Sequence, residues 1–166
     1  MDFIWFTDEK VFTVAIPKNP QNDRLYVPAT VKKKHVAAER LLRTRTTFSR
    51  SVMVSVGVSK LGCTDLIFVD PGVKINGAYY RDVLLSQQLP MMRDVSGEFF
   101  IFQQDSAPAH RAHDTVRLLE QATPAFIPPD LWPPNSPDLN PVDYKIWGIM
   151  QQRVYQSRVN NVDELK

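Results

Sequence analysis

The stretch FFIFQQD (residues 99–105) decides how the rest of this chain is interpreted. Four apolar residues in a row are typical of a short strand that is buried on both faces of a sheet. Sheets of this kind are covered by helices, and their functional residues lie beyond the carboxyl ends of the strands. Asp105 occupies that position. The stretch therefore predicts an α/β fold and one candidate site residue.

The segments on either side of this strand extend the prediction to a complete sheet. Strands are predicted at 3–16, 51–60, 64–70, 99–105 and 124–128, and helices at 77–92, 109–121 and 142–154. The first three strands are joined by short turns, including one at Gly62, which favours antiparallel pairing. The later alternation of strand and helix favours parallel pairing through crossovers. This order predicts a ribonuclease H-like α/β fold, a mixed five-stranded sheet with helices on both faces.

Composition restricts the class of protein. A chain of 166 residues with 43% apolar and 23% charged residues is long enough for one domain with a core. The single cysteine, Cys63, excludes an internal disulfide and favours a reducing compartment, the cytosol or the nucleus. No apolar run approaches the ~20 residues of a membrane helix, so no membrane association is expected.

The basic residues are concentrated in one segment. Residues 18–60 contain ten Lys or Arg and two acids, a net charge of +8, while the remainder has a net charge of −6. Such a segment is either a solvated loop or a surface that meets phosphate groups. The run Lys32, Lys33 and Lys34, followed by further arginines, is also compatible with a nuclear import signal, so the nucleus is the expected location.

Three acidic residues on distant elements are candidates for chemistry: Asp8, Asp105 and Asp143. Carboxylates suit a hard cation such as Mg²⁺, and two such ions can bind both the attacking and the leaving oxygen of a phosphodiester. Asp143 also has a purely structural explanation. Asn140 is placed to cap the last helix, and an acid at the third helical position satisfies backbone donors there. Asp138 is a rival third ligand.

The loop before Asp143 is unusually rich in proline. Seven of the 13 prolines lie between Pro124 and Pro141, in and around WPPNSPDLNPVDYKIW (132–147). Proline fixes φ and reduces the freedom of a loop. The loop is predicted to hold Asp143 still, although stiffening for stability alone remains open.

Three motifs together resemble the catalytic domain of the mariner-superfamily (Tc/mariner) DNA transposases. They are FTDEKVF, FQQDSAPAH and WPPNSPDLNPVDYKIWGIMQQRVY, and the resemblance runs from Phe3 to Val154. It implies a ribonuclease H-like fold whose acidic triad, here Asp8, Asp105 and Asp143, binds two Mg²⁺ or Mn²⁺ ions. Asp138 then becomes part of the loop structure.

The resemblance also implies an activity and partners. The expected function is metal-dependent phosphodiester hydrolysis and strand transfer in cut-and-paste DNA transposition. The expected partners are double-stranded DNA, both transposon ends and target, and a second copy of the chain in a paired-end complex. Residues 17–50, the basic arm, fall where the family inserts an arm beside DNA. The candidate DNA contacts are Lys32, Lys33, Lys34, Arg43, Arg45, Arg50 and His110. For His110, a contact with the site and a surface or capping role are the alternatives.

Family members also carry N-terminal helix-turn-helix domains that this chain lacks, so it is interpreted as a fragment. The catalytic domain is predicted at residues 1–158, and 159–166 as the start of a truncated C-terminal segment. Ser106 stands where many relatives have Asn, and the third acid is Asp where other branches have Glu. Two alternatives stay open: a catalytically silent fragment that only binds DNA or a partner, and a ribonuclease H.

Overall fold

The computed structural model describes residues 2–16, 25–41, 49–133 and 136–166, which form one mixed sheet with helices against it. The strands are β1 (Ile4–Thr13), β2 (Ser51–Ser59), β3 (Gly62–Cys63), β4 (Ile67–Val69), β5 (Ile101–Gln103) and β6 (Ala125–Ile127). The helices are α1 (Ala38–Leu41), α2 (77–96, with a π-helical stretch at Tyr80–Leu85), α3 (His113–Ala122) and α4 (π-helical at Val142–Ile146, then α-helical at Trp147–Val154). Short 3₁₀ turns lie at Lys33–His35, Pro129–Leu131, Pro137–Leu139 and Asp163–Leu165.

The sheet has the mixed topology that the sequence predicts. β2 pairs antiparallel with β1 on one edge and with β3 and β4 on the other. β5 pairs parallel with β1, and β6 pairs parallel with β5. The third predicted strand, 64–70, is present as the shorter β4, and β3 lies within the predicted turn, where Gly62 pairs with Ser59. The ribonuclease H-like arrangement, with helices on both faces, is confirmed.

The side chains of β1 alternate between two hydrophobic cores. Trp5 is fully buried in the first core, together with residues of α2 and α3 such as Leu84 and Leu119. Phe12 is buried in the second core, together with Trp147 of α4. Because side chains of a strand point alternately to its two faces, the neighbours Asp8 and Glu9 project to opposite sides of the sheet. Asp8 lies on the α4 face, and Glu9 lies on the face of α2 and α3.

The second core extends to the end of the chain. Val159 and Leu165 are both buried against it, and Val162 packs at its edge. The second core therefore includes residues between 159 and 165. Among the residues that the structure describes, no helix combines the length and apolar character that a bilayer crossing requires.

Candidate active site

The paired strands β1 and β5 bring two of the predicted acids to one region of the sheet. Phe6 of β1 lies opposite Gln103 of β5 in parallel register. Asp8 and Asp105 follow those two residues by the same distance along the chain, so both lie just beyond this last parallel pair. Parallel strands end at a common edge of the sheet, which is where α/β folds place their sites.

Asp8 is held by the last helix. The indole Nε1 of Trp147 donates a hydrogen bond to Oδ2 of Asp8 at 2.5 Å, while the ring packs edge-on against Phe12. Burial raises the pKa of Asp8 to about 7; the hydrogen bond from Trp147 opposes this rise, and the negative charge of Asp143 adds to it. Trp147 is also buried in the second core.

Asn140 fixes the start of the helix that carries Asp143. Its Oδ1 accepts a hydrogen bond from the N–H of Val142 at 3.0 Å, so the predicted cap is confirmed. Its Nδ2 donates to the carbonyl oxygen of Thr7 at 3.1 Å, and the side chain is buried. Asn140 thereby ties the helix to β1 at the residue before Asp8. Asp143 lies in the π-helical stretch that follows, a local geometry often found at functional sites.

Asp105 is held from the other side of the sheet. Its Oδ1 accepts the N–H of Ala107 at 3.0 Å and lies 2.5 Å from Nδ1 of His110. Burial acts to raise the pKa of Asp105, but the hydrogen bond and charge of His110, with the N–H of Ala107, outweigh it and hold the pKa below its usual value. The pKa values of Asp105 and Asp8 are therefore shifted in opposite directions.

His110 is an internal residue, which corrects the expectation that it contacts DNA. Only 3% of its surface is exposed, and its ring packs against Tyr80 at a centroid distance of 4.4 Å. Burial acts to lower the pKa of His110, but the hydrogen bond to Asp105 and the interaction with Glu9 outweigh it and raise the pKa to about 9. The ring is therefore a cation at neutral pH, and its charge is directed at two carboxylates instead of at solvent.

Sequence reasoning missed Glu9 and the residues that hold it. Oε1 of Glu9 accepts a hydrogen bond from Ser55 at 2.8 Å, and Ser55 in turn accepts one from Gln88 at 2.8 Å. Ser55 and Gln88 are fully buried. One signal was available: an acid that directly follows Asp8 in a strand must point to the opposite face. The partners lie 33 to 46 residues apart in sequence and left no local signal.

The acidic residues have the chemistry that a divalent ion requires, but their positions in this structure do not yet form a metal site. Carboxylate oxygens are the ligands that Mg²⁺ and Mn²⁺ prefer, and the raised pKa of Asp8 reflects burial and nearby negative charge, both of which a bound cation would offset. In the part of the chain that the structure describes, however, no three His, Cys, Asp or Glu side chains are close enough together to hold a metal ion. Asp8 and Asp105 are instead turned toward Trp147 and His110. Binding would require the acids to move closer together, while these contacts hold one oxygen of each carboxylate.

The described part of the basic arm is exposed. Lys32, Lys33 and Lys34 lie at and within a 3₁₀ turn that has no buried residues, and Arg50 is exposed at the start of β2. The arm leaves the sheet after β1 and returns at Arg50, whose carbonyl oxygen accepts the N–H of Val14 at 2.9 Å. The other two predicted contacts, Arg43 and Arg45, lie outside the described residues.

A cavity of about 480 Å³ opens beside Asp105, at the carboxyl ends of β5 and β6. It is lined by Ser106, Arg111, Val116, Glu120, Pro128, Pro129 and Asp130. The hydroxyl of Ser106 donates to the carbonyl oxygen of Pro129 at 2.6 Å, so this residue joins the end of β5 to the loop after β6. The site edge therefore has open space next to one of its carboxylates.

The sheet order and the acids at its carboxyl edge define a class, a ribonuclease H-like domain with an acidic site. Within that class, the chain is homologous to the Tc1/mariner transposases. It is 29% identical over 151 residues to the Tc3 transposase of Caenorhabditis elegans, which covers 90% of this chain and 41% of that protein. It is 28% identical over 107 residues to the Tcb2 transposase of Caenorhabditis briggsae, which covers 62% of this chain and 38% of that protein. No family model matches the sequence.

Solved structures agree with this relationship. The Mos1 mariner paired-end complex with Mn superposes with a TM-score of 0.75 at 25% identity, over 98% of this chain and 45% of that chain. A pre-cleavage Mos1 transpososome superposes with a TM-score of 0.76 at 23% identity, which is a likeness of fold. The chain thus spans less than half the length of these relatives.

Proposed function

We propose that this chain is the catalytic part of a cut-and-paste DNA transposase, with Asp8, Asp105 and Asp143 as a triad of the three-aspartate type. The observation that carries the proposal is the placement of Asp8 and Asp105 at one edge of the sheet. Asp8 and Asp105 lie beyond one parallel strand pair, and Asp143 is near enough to raise the pKa of Asp8. The homology to Tc3 over 90% of the chain supports the reaction class.

Two Mg²⁺ or Mn²⁺ ions are the proposed cofactor, held by the three aspartates. When bound, they would supply Lewis-acid activation of the scissile phosphodiester and stabilise the attacking and leaving oxygens. The solved Mos1 complexes with Mn and with Mg support this choice of ions.

The chain's own residues restrain the positions of two of the three acids. Trp147 restrains Asp8 through one carboxylate oxygen, and Asn140 anchors the helix of Asp143 to the backbone of β1. Both restraints converge on β1, so a single strand sets the positions of two of the acids. Such preorganisation contributes to catalysis because the groups do not need to be ordered during the reaction.

Double-stranded DNA is the proposed substrate, and a second copy of the chain is the proposed partner. The exposed cations at Lys32, Lys33, Lys34 and Arg50 provide charge for phosphate contacts, to which Arg43 and Arg45 are added from the sequence. Paired-end complexes of Mos1 with a transposon end support both partners. The same lysine run supports a nuclear location.

The test is a Mn²⁺-dependent reaction with supercoiled plasmid and a short DNA duplex that carries labelled 3′-hydroxyl ends. Nicking of the plasmid reports hydrolysis, and joining of the label to the plasmid reports strand transfer. We expect both activities from the wild-type chain, neither from Asp105→Asn, and both from Asp138→Asn, which changes the exposed acid of the loop.

Two results would contradict the proposal. Cleavage that persists in Asp105→Asn would remove the triad assignment. Cleavage of an RNA–DNA hybrid, with none of duplex DNA, would favour a ribonuclease H.

A further inference from the structure

We propose that His110 is a positioning residue for Asp105, and that Glu9 holds His110 in place so that Asp105 is fixed relative to β1. This inference rests on the proposed function, because it assumes that Asp105 binds a metal ion. It assigns roles to two residues that do not themselves belong to the acidic triad.

The first step is the contact between His110 and Asp105. Asp105 lies outside the hydrogen-bonded part of β5, so strand pairing does not fix its side chain. The ring nitrogen Nδ1 of His110 is 2.5 Å from Oδ1 of Asp105, and the N–H of Ala107 reaches the same oxygen at 3.0 Å. Two donors on one oxygen restrict rotation of the carboxylate. Groups that hydrogen-bond a metal-binding carboxylate in this way orient it for the ion.

The second step is the contact between His110 and Glu9. The other ring nitrogen, Nε2, lies 3.7 Å from Oε2 of Glu9. The second oxygen of Glu9 is engaged by Ser55, which is itself bonded to Gln88 of α2. The imidazole thus bridges two carboxylates, one in β1 and one beyond β5. Because Glu9 directly follows Asp8, this bridge links the two acids of the parallel strand pair from the face opposite Trp147.

The third step is that the ring has no freedom to turn away. The His110 side chain is 4% exposed, and one side of the ring packs against Tyr80. Tyr80 is fully buried and its hydroxyl is bonded by Gln104, the residue before Asp105. A buried ring with both nitrogens directed at carboxylates is a more specific arrangement than packing requires. The same enclosure prevents the ring from acting on a substrate directly.

The test is calorimetric titration of the purified chain with Mn²⁺, which does not depend on DNA. His110→Leu removes both contacts, and we expect Mn²⁺ affinity to fall by about 10- to 100-fold, the usual effect of losing such a partner. His110→Asn is also neutral but keeps a donor near the position of Nδ1, so it should recover most of the lost affinity. Comparing His110→Leu with His110→Asn separates positioning from charge, because loss of the positive charge of His110 alone would strengthen Mn²⁺ binding in both variants.

Glu9→Gln supplies a second variant that keeps the side-chain volume and the contact with Ser55. We expect a several-fold loss of Mn²⁺ affinity in this variant, smaller than in His110→Leu. His113→Asn is the matched control, because His113 lies nearby on the chain but its side chain is 88% exposed. Thermal unfolding of each metal-free variant identifies any that fail to fold.

The outcomes separate this inference from the proposed function. Weak binding by His110→Leu with recovery in His110→Asn supports the positioning role. Wild-type affinity, or tighter binding, in His110→Leu and Glu9→Gln overturns it and leaves the triad intact. No Mn²⁺ binding by the folded wild-type chain, with or without added duplex DNA, overturns the metal site and with it the positioning role.

Discussion

The two faces of β1 treat neighbouring acids in opposite ways. On the α4 face, Asp8 has one neutral hydrogen-bond donor, Trp147, and a like charge nearby at Asp143. On the opposite face, Glu9 and Asp105 share a cationic partner, His110. Burial, with the charge of Asp143, raises the pKa of Asp8 to about 7, while the hydrogen bond and charge of His110 outweigh burial and lower the pKa of Asp105.

This difference shows where the protein supplies its own counter-charge and where it does not. The Glu9 face is partly neutralised internally, because one imidazolium lies between two carboxylates. The Asp8 face keeps buried negative charge without a protein cation among the contacts that the structure describes. A carboxyl with a strongly raised pKa beside a like charge is a common feature of functional sites. We therefore expect a divalent cation to stabilise the Asp8 face more than the Glu9 face.

The largest expected effect comes from Asp8→Asn. This substitution should reduce Mn²⁺-dependent DNA nicking to background, because it removes a proposed ligand, while leaving the metal-free chain folded. Plasmid nicking alongside circular dichroism checks both parts. Asp138→Asn is the matched control for an acid outside the triad, and nicking by Asp8→Asn at the rate of that control would contradict the comparison.

The stability of the metal-free chain should depend on pH mainly through Asp8 between about pH 5 and 6.5. Because the pKa of Asp8 is raised in the folded state, its ionisation destabilises the fold, so stability falls as pH rises from about 4 through 7. A rise from 3.8 to about 7 sets an upper bound of roughly 4 kcal/mol on this loss. Urea unfolding across this range should show the decline in the wild type and its absence in Asp8→Asn.

Asp105→Asn should change the stability in the opposite direction. The lowered pKa of Asp105 means that its ionised form stabilises the fold, an effect present above its unfolded pKa and lost as pH falls through the folded value. Removing the charge beside His110 should cost about 1–3 kcal/mol at pH 7. Urea unfolding measures this cost. If Asp8→Asn and Asp105→Asn both raise, or both lower, the free energy of unfolding at pH 8, the two faces do not differ as described.

The smallest expected effect compares the tryptophans of the two faces. Trp147→Phe removes the indole donor to Asp8 but keeps an aromatic ring against Phe12, and should cost about 1–3 kcal/mol at pH 8. Trp5→Phe removes a donor to the neutral hydroxyl of Ser96 and should lose about 0.5–1.5 kcal/mol for that hydrogen bond. The discriminating quantity is pH dependence, because only the Trp147 contact involves an ionising partner. A stability loss from Trp147→Phe that is the same at pH 5 and pH 8 would contradict this account of the contact between Trp147 and Asp8.

The fold was predictable from the sequence because strand and helix periodicities are local. The apolar run before Asp105 and the alternation in β1 and β2 were enough to predict a mixed sheet. The short strand β3 was missed, since two paired residues beside a turn are too few to show an alternating pattern. The π-helical stretches of α2 and α4 likewise have no clear periodicity of their own.

The site was only partly predictable, for a different reason. Asn140 was found because a cap is encoded next to the helix that it begins. The contact between Trp147 and Asp8 joins residues 139 positions apart, and the burial of His110 depends on Tyr80 and Glu9 from other elements. Both the Trp147–Asp8 contact and the burial of His110 depend on how distant elements pack together. Sequence patterns do not report such packing, so sequence reasoning included His110 among the candidate DNA contacts. For Asp143, a place in the first turn of the helix is compatible with a place in the site. Asn140 caps the helix, and the negative charge of Asp143 still contributes to the raised pKa of Asp8.

The central claim is that Asp8, Asp105 and Asp143 form one divalent-metal site. Crystals of the chain soaked with Mn²⁺, with anomalous diffraction data, test it most directly. The account predicts anomalous peaks at the carboxyl edge of β1 and β5, with Asp8 and Asp105 sharing an ion, Asp105 still bonded to His110 through Oδ1, and Asp143 bound to one ion. Mn²⁺ bound only at other acids, with none at Asp8 and Asp105, would contradict it.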